Sequence, residues 1–430
     1  MVGIAAALGA LAIYALISAA EHWRVLPMYD HWGQVDFYRR WLATGPIGPI
    51  PHNEHWIVLT RFWFLIDLHF FRGTNAFVYA VLILSPMALA FMLARLATFE
   101  DTIEIKLLFL AAFAALFLSP IQSDNLILPF HSTIAQVCLF AAAALYAVAR
   151  LTQTPGSYGF LLAACVATPL AVFTMANGLV AAALVAMTAA VLRLPLWPRV
   201  LLLIFSVGPI ALYISLYQPV PYHEGFRPNL VSGEGLRKVA EHSLGLMGAV
   251  AQYWRLEGAI IFGGIGAAIL ALFAWLTLSA IKDRRVADPR TLALLLIACF
   301  AAGTALMVSL GRGGTSDPEH QLASRYATFS ILFWASIAAL GWRLAGVAAW
   351  APATSRAMAL AALLLITIFT YLPSRRMADA ADRTVAIDAL TRELRAGQMP
   401  PVLPNPHNVY YEPHLIPFMR EKRLSIFAFE

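Results

Sequence analysis

The sequence predicts an all-α, polytopic membrane protein of about eleven transmembrane helices, with two more helices lying at the membrane surface in its first external loop. Composition, the length of its apolar runs and the placing of its ionisable residues carry that reading. Of the 430 residues, 60% are hydrophobic and 13% charged, where a soluble domain has roughly 45–50% and about 25%. The mean hydropathy is +0.71. Apolar runs of bilayer-crossing length recur along the chain. Between the first two of them, residues 21–74 gather carboxylates, histidines and arginines that the rest of the chain largely lacks.

A crossing helix needs about 20 mainly apolar residues. Runs of that kind lie near 3–20, 75–94, 103–118, 130–149, 158–174, 177–192, 198–217, 258–281, 291–310, 323–342 and 357–373. The first ends in the small residues Ser18, Ala19 and Ala20, as a cleaved signal peptide does. It lacks a basic stretch ahead of the apolar run, so an uncleaved span is expected. Asn177 and Gly178 interrupt a long apolar stretch and predict a tight external hairpin.

Segment 57–71 is apolar but only about 15 residues long, and it carries Arg61, Asp67 and His69. Charged types cost roughly 2.5–3.5 kcal/mol each at the bilayer centre, so a helix along the outer interface is expected instead. The preceding VDFYRRWLATG puts Val35, Tyr38, Trp41 and Leu42 on one helical face and Asp36, Arg39 and Arg40 on another. Pro46, Pro49 and Pro51, with Gly45 and Gly48, break the chain between these two helices.

Orientation follows from the basic residues of the short loops. Arg95, Lys106, Arg150, Arg193, Arg199, Lys282, Arg284, Arg285, Arg290, Arg343 and Arg356 share one side if the spans alternate, and the positive-inside rule makes that side cytoplasmic. Loops 21–74, 119–129, 218–257 and 311–322, with the tail from 374, then lie outside. Arg24, Arg39, Arg40, Arg61, Arg72, Arg375 and Arg376 run against the bias. Arginine-rich, lysine-poor usage fits a bacterium of high GC content, hence the inner membrane. The chain divides into a transmembrane unit, 1–373, and an external tail, 374–430. The tail has a helical pattern over 376–396 with Met377, Ala381, Val385 and Ile387 on its apolar side, then a proline-rich stretch, and is expected to pack on the membrane unit.

The formal charge of +6 comes mostly from arginines flanking spans, so membrane lipid is the implied partner and nucleic acid is not. Cys138, Cys165 and Cys299 sit in apolar runs, which argues against a disulfide framework or a thiolate metal site.

The external side collects most of the remaining polar residues: Asp124, His131, Asn177, His223, Glu224, Arg312 in a glycine-rich loop, and Arg325 with Tyr326. Polar groups at membrane depth face a cavity or one another, so a single external cavity is expected to gather them.

With a short first span, a large first external loop bearing two juxtamembrane helices, an acidic residue soon after that span and about eleven helices in all, the chain resembles the GT-C superfamily of membrane glycosyltransferases. In PHNEHWIVLTRFWFLIDL, TMANGL, SRYATFS and MREKRLSIF it is also similar to a group of uncharacterised bacterial multi-pass proteins. The GT-C resemblance implies an inverting hexosyl- or pentosyltransferase that moves a sugar from a polyprenyl-phosphate donor to a cell-envelope glycan or lipid acceptor at the periplasmic face. The first loop departs from the family in lacking a close acidic pair; Asp30 with Asp36 is its nearest substitute.

Such a transfer needs a carboxylate to take the acceptor proton and cations to stabilise the departing phosphate. The position of Asp30 soon after the first span makes it the first candidate base by resemblance. Its alternative is an interfacial acid paired with an arginine. Glu54 is the second candidate, the alternative being a helix-start cluster with Asn53 as cap. Asp36, His52, His55, Arg61 and His131 are candidate substrate contacts. Arg312, Arg325 and Tyr326 are candidate phosphate contacts, since a guanidinium binds an anion in bidentate fashion; Arg325 and Tyr326 also read as interface anchors. His52, Glu54 and His55 supply ligand types that suit zinc, but their spacing matches no strong zinc signature. No metal site or cofactor is assigned. A transporter or lipid-linked-sugar flippase would show midplane polar groups and internal repeats, and neither is visible. A non-catalytic envelope assembly protein would tolerate loss of the candidate residues singly.

Overall fold

The structure, a computed structural model, describes residues 1–45, 52, 55–191, 194–217, 228–282, 288–313, 322–347, 352–372, 375–399 and 411–429. Its helices are α1 (Val2–Ala20), α2 (His31–Thr44), α3 (Val58–Phe70), α4 (Ala76–Thr98), α5 (Ile103–Phe117), α6 (Ser123–Ile127), α7 (Ser132–Leu151), α8 (Tyr158–Thr174), α9 (Gly178–Val191), α10 (Leu196–Ser215), α11 (Gly233–Met247), α12 (Arg255–Lys282), α13 (Pro289–Arg312), α14 (Ala327–Val347), α15 (Pro352–Tyr371), α16 (Arg375–Arg395) and α17 (Ile416–Glu421). Among the described residues there is no β-strand, only an isolated bridge between His52 and His55.

Among the described residues, 9 helices are long and apolar enough to cross a membrane. They are α1, α4, α5 with the turn after it, α7, α10, α12, α13, α14 and α15; α8 and α9 are shorter apolar helices. Each predicted span coincides with one of these, and the fold is that of a polytopic helical membrane protein. The centre is marked by burial: 83% of the Ser324–Ala345 window is buried, against 17% of Arg255–Ser279. Phe109, Phe113, Phe117, Phe300 and Phe333 fill that centre without exposed surface.

One end of the bundle is stitched by charge. Arg290 pairs with Glu100 at 3.0 Å and Arg343 with Asp288 at 2.8 Å. Trp342 donates its indole N–H to Asp101 at 2.9 Å. Asp288 also caps α13 by accepting from the Thr291 amide at 3.2 Å, an N-cap that satisfies an orphan donor. This is the end predicted to be basic.

The segment 218–257 was predicted to be an external loop, and the structure adds a helix to it. It contains α11, whose N-terminus is capped by the Ser232 hydroxyl accepting from Gly235 N at 3.0 Å. A Cβ at Gly263 would fall 1.9 Å from the Leu244 carbonyl oxygen, so α11 and α12 meet backbone to backbone. The Met247 carbonyl accepts from Ser330 Oγ at 2.7 Å and Trp334 Nε1 at 3.0 Å, which draws the end of α11 in against α14.

The first loop and the tail build a second hydrophobic core. Leu26, Met28, Trp32, Val35, Tyr38 and Leu68 pack with Ile387, Leu394, Leu415, Met419, Leu424, Ile426 and Phe427. Both helices expected in the loop are present, and the buried face of α2 packs on this core. Leu42, placed on the apolar face by its spacing, is 42% exposed. On α16 the predicted apolar face is also corrected. Val385 is 68% exposed, while Ala380, Ile387 and Leu394 are buried; a seven-residue step keeps them on one stripe.

The same unit explains the arginines that oppose the charge bias. Arg24 holds Asp388 with two bonds of 2.6 and 2.9 Å, Arg39 and Arg40 hold Asp36, and Arg72 donates to the Ala428 carbonyl. Arg61 lies over the Phe37 ring at 4.8 Å. Asp67, costly if it crossed the bilayer, instead caps α4: its oxygens accept from Asn75 N and Phe77 N, each at 2.9 Å.

Candidate functional site

At the end of the bundle opposite the charged seam lies a cavity of 540 Å³. The starts of α2, α7, α9 and α14 and the ends of α8, α10 and α13 enclose it. Its wall has two characters. Asp30, His52, His55, His131, Asn177, Arg312, Arg325 and Tyr326 make a polar side; Ile57, Ile134, Met175, Leu179, Ile214, Met307 and Val308 make an apolar one.

Asp30 reaches the cavity through an uncommon backbone. Tyr29, before it, has φ +49°, the left-handed region that a side chain enters only at some cost. Asp30 then starts α2 without capping it, so its carboxylate is left for the cavity. Its Oδ1 lies 3.3 Å from Nε2 of His52. Burial opposes ionisation of this carboxyl, but the neighbouring His52 ring, with His131 and Arg325, outweighs it and holds the group below its ordinary value. The backbone bridge fixes His52 and His55 to each other through bonds of 2.8 and 2.9 Å, and the His52 ring rests on Phe130 at 5.0 Å. Beneath Asp30, burial pushes His31 down to about 3. That ring is neutral and packs on Phe64 at 4.5 Å.

The cationic side is built on Tyr326. Arg312 donates to its hydroxyl at 3.0 Å, and the Arg325 guanidinium lies 5.2 Å from its ring centroid. Neither arginine forms an ion pair among the described residues. The Nε of Arg325 and the Nδ2 of Asn177 are buried donors without a hydrogen-bond partner there; Asn177 itself is 1% exposed. Arg325 is held from behind by Asn125, whose amide donates to the carbonyls of Ser324 and Arg325, each at 3.2 Å.

The structure thus brings together Asp30, His52, His55, His131, Arg312, Arg325 and Tyr326 from the predicted set. It does not bring Asp36 or Arg61. Asp36 is tied to Arg39 and Arg40, each at 2.7 Å along its own helix, so its charge is spent one turn from where it starts. Arg61 is turned onto Phe37, and burial pulls its guanidinium down to about 10. Asp124 faces the tail helix, bonded to Arg383 at 2.8 Å. Glu54, His223 and Glu224 lie outside the described residues. Sequence reasoning missed Tyr213 and Tyr217, which line the cavity from the end of α10. Their signal was a pair of aromatics one helical turn apart at the mouth of a span.

The chain matches no family model, and neither a curated protein nor a solved structure matches it. The geometry therefore stands by itself. Three of the four sequence words singled out above meet at this cavity, through His52, His55 and Ile57, through Met175, Asn177 and Leu179, and through Arg325 with Tyr326. Among the described residues, no group of three His, Cys, Asp or Glu side chains is placed to hold a metal ion; Glu54, the third member of the zinc-like set, lies outside them. An ionised carboxylate, two guanidinium groups without carboxylate partners among the described residues and an apolar wall suit an amphiphile with an anionic head and a hydroxyl-bearing partner.

Proposed function

We propose that this chain is an inverting glycosyltransferase of the GT-C kind, crossing the bacterial inner membrane about eleven times with its cavity at the periplasmic face. The donor is a sugar on a polyprenyl phosphate, and the acceptor is a glycan or lipid of the cell envelope. The observation that carries this reading is the meeting of Asp30, Arg312 and Arg325 in one half-apolar cavity.

In this reading Asp30 accepts the proton of the acceptor hydroxyl, whose oxygen forms a bond to the anomeric carbon. The bond from that carbon to the phosphate oxygen breaks, and the electron pair leaves with the phosphate. Arg312 and Arg325 stabilise that departing charge, Arg312 aimed by its bond to Tyr326. Attack opposite the leaving group inverts the centre. The apolar wall takes the first isoprene units, and the Asn177 Nδ2, without a partner among the described residues, is available to a sugar hydroxyl.

The test compares envelope glycans and polyprenyl-phosphate sugars in cells carrying the wild type or Asp30→Asn at matched protein level. A missing glycan modification with a build-up of its lipid-linked donor supports the transferase. Unchanged glycans in the variant overturn it and favour a transporter or a non-catalytic assembly protein.

A further inference from the structure

The tail helix α16 reaches the back of the cavity through one residue. Arg383 Nη2 bonds Asp124 Oδ1 at 2.8 Å, with the two side chains only 19% and 25% exposed. The same guanidinium interacts with the Tyr29 side chain. Each of these partners stands directly behind a cavity residue.

Tyr29 holds the left-handed backbone, φ +49°, that precedes Asp30. A residue in that region persists only where its surroundings over-determine it, and a side-chain tether is one such constraint. Asp124, on α6, accepts the other arm. Its amide donates to Ser324 Oγ at 3.1 Å. The next residue, Asn125, clamps the Ser324 and Arg325 carbonyls and donates to Thr328 Oγ1 at 2.8 Å. One guanidinium therefore links the strained turn before the carboxylate to the short helix that holds the Arg325 backbone. A planar fork with several fixed donors can join two acceptors in one geometry, which a neutral side chain cannot.

We propose that Arg383 is a positioning residue for the cavity: by tying Tyr29 to Asp124 it sets the Asp30 carboxylate and the Arg325 guanidinium relative to each other, so the tail completes the site. The substrate named in the test rests on the transferase reading; the brace itself rests on geometry alone. A structural tail would need only its hydrophobic core. The Arg24–Asp388 pair provides the contrast, because it joins the same tail helix to the same loop at 2.6 Å but touches no cavity residue.

The test uses the full chain in detergent, with undecaprenyl phosphate as the probe, for the wild type, Arg383→Gln, Arg383→Lys, Tyr29→Phe and Asp388→Asn. Binding and hydrogen exchange are read together. The expected result is an affinity loss of about tenfold for Arg383→Gln, with faster exchange confined to peptides over 28–34 and 322–330. Arg383→Lys recovers most of the affinity, Tyr29→Phe shows a smaller loss, and Asp388→Asn matches the wild type in both readouts. If Arg383→Gln behaves as Asp388→Asn does, or if its exchange rises across the whole chain, the positioning role is wrong. If the wild type does not bind the probe, the donor assignment falls, and exchange alone decides the brace: a rise limited to those two peptides upholds it, and an unchanged pattern overturns it.

Discussion

The Asp30 carboxylate lies 3.3 Å from the Nε2 of His52, and that contact favours the ionised form of the candidate base. Burial works against ionisation, and His52, with help from His131 and Arg325, reverses the outcome. A carboxyl held below its ordinary value is ionised throughout the neutral range, and what it contributes is lost only as pH falls through the lowered value. His52→Gln removes the largest favourable contribution and leaves burial opposed only by His131 and Arg325, so the acid limb of the transfer rate is expected to move to higher pH. The pH–rate profiles of the two proteins check this. Coincident acid limbs would separate Asp30 from the titration that governs the rate.

Arg312 and Arg325 are expected to act on the departing phosphate. Arg325→Gln should lower kcat/KM for a polyprenyl-phosphate sugar by about a hundredfold, as loss of one donor to a developing anion does elsewhere. Tyr326→Phe keeps both guanidinium groups and removes only the 3.0 Å bond that aims Arg312; its loss should be tenfold or less, since such a bond is worth about 0.5–1.5 kcal/mol. Steady-state kinetics in membranes separates the two. Equal losses would mean that Tyr326 touches substrate itself.

Asn177 is brought to the cavity by a turn with no room for a side chain at the next position. A Cβ at Gly178 would lie 2.1 Å from the backbone carbon and oxygen of Ala171. Gly178→Ala must therefore part α8 from α9, a displacement expected to cost at least about 1–3 kcal/mol and to lower the melting temperature in detergent. Gly208→Ala is the control, because nothing lies within 4 Å of its Cβ. Replacing glycine inside a helix gains about 0.5–1 kcal/mol, so that melt should hold or rise.

Hydropathy made the membrane bundle legible, because lipid imposes length and apolarity on every crossing. The cavity was legible in outline for a related reason. Arg312, Arg325 and His131 are polar residues at span ends on one side, and alternating helices bring such ends together. Burial faces were less readable. Val385 and Leu42 look like core positions by spacing, yet the face a helix buries depends on its partner, and here that partner is a loop hundreds of residues away in sequence. Asp36 lies away from the cavity for the opposite reason: a carboxylate near two arginines on its own helix is already satisfied there. The helix α11 was missed because EGLRKVAEHS carries enough charge to look like an exposed connection, while its small residues permit the close approach to α12.

The shared core of first loop and tail predicts that they come apart together. Phe427 has no exposed surface and packs with residues of both segments. Phe427→Ala should cost about 3–5 kcal/mol, and the loss falls on the core that the two segments share. The expected result is new protease cleavage in both 21–45 and 411–429, with the helices of the bundle still protected. Val385→Ala tests the other half of the argument: at 68% exposure it should shift stability by no more than about 0.5 kcal/mol. Cleavage appearing in the tail alone would show that the first loop folds without it, and the tail would then be a cover over the site instead of one half of the unit that carries Asp30.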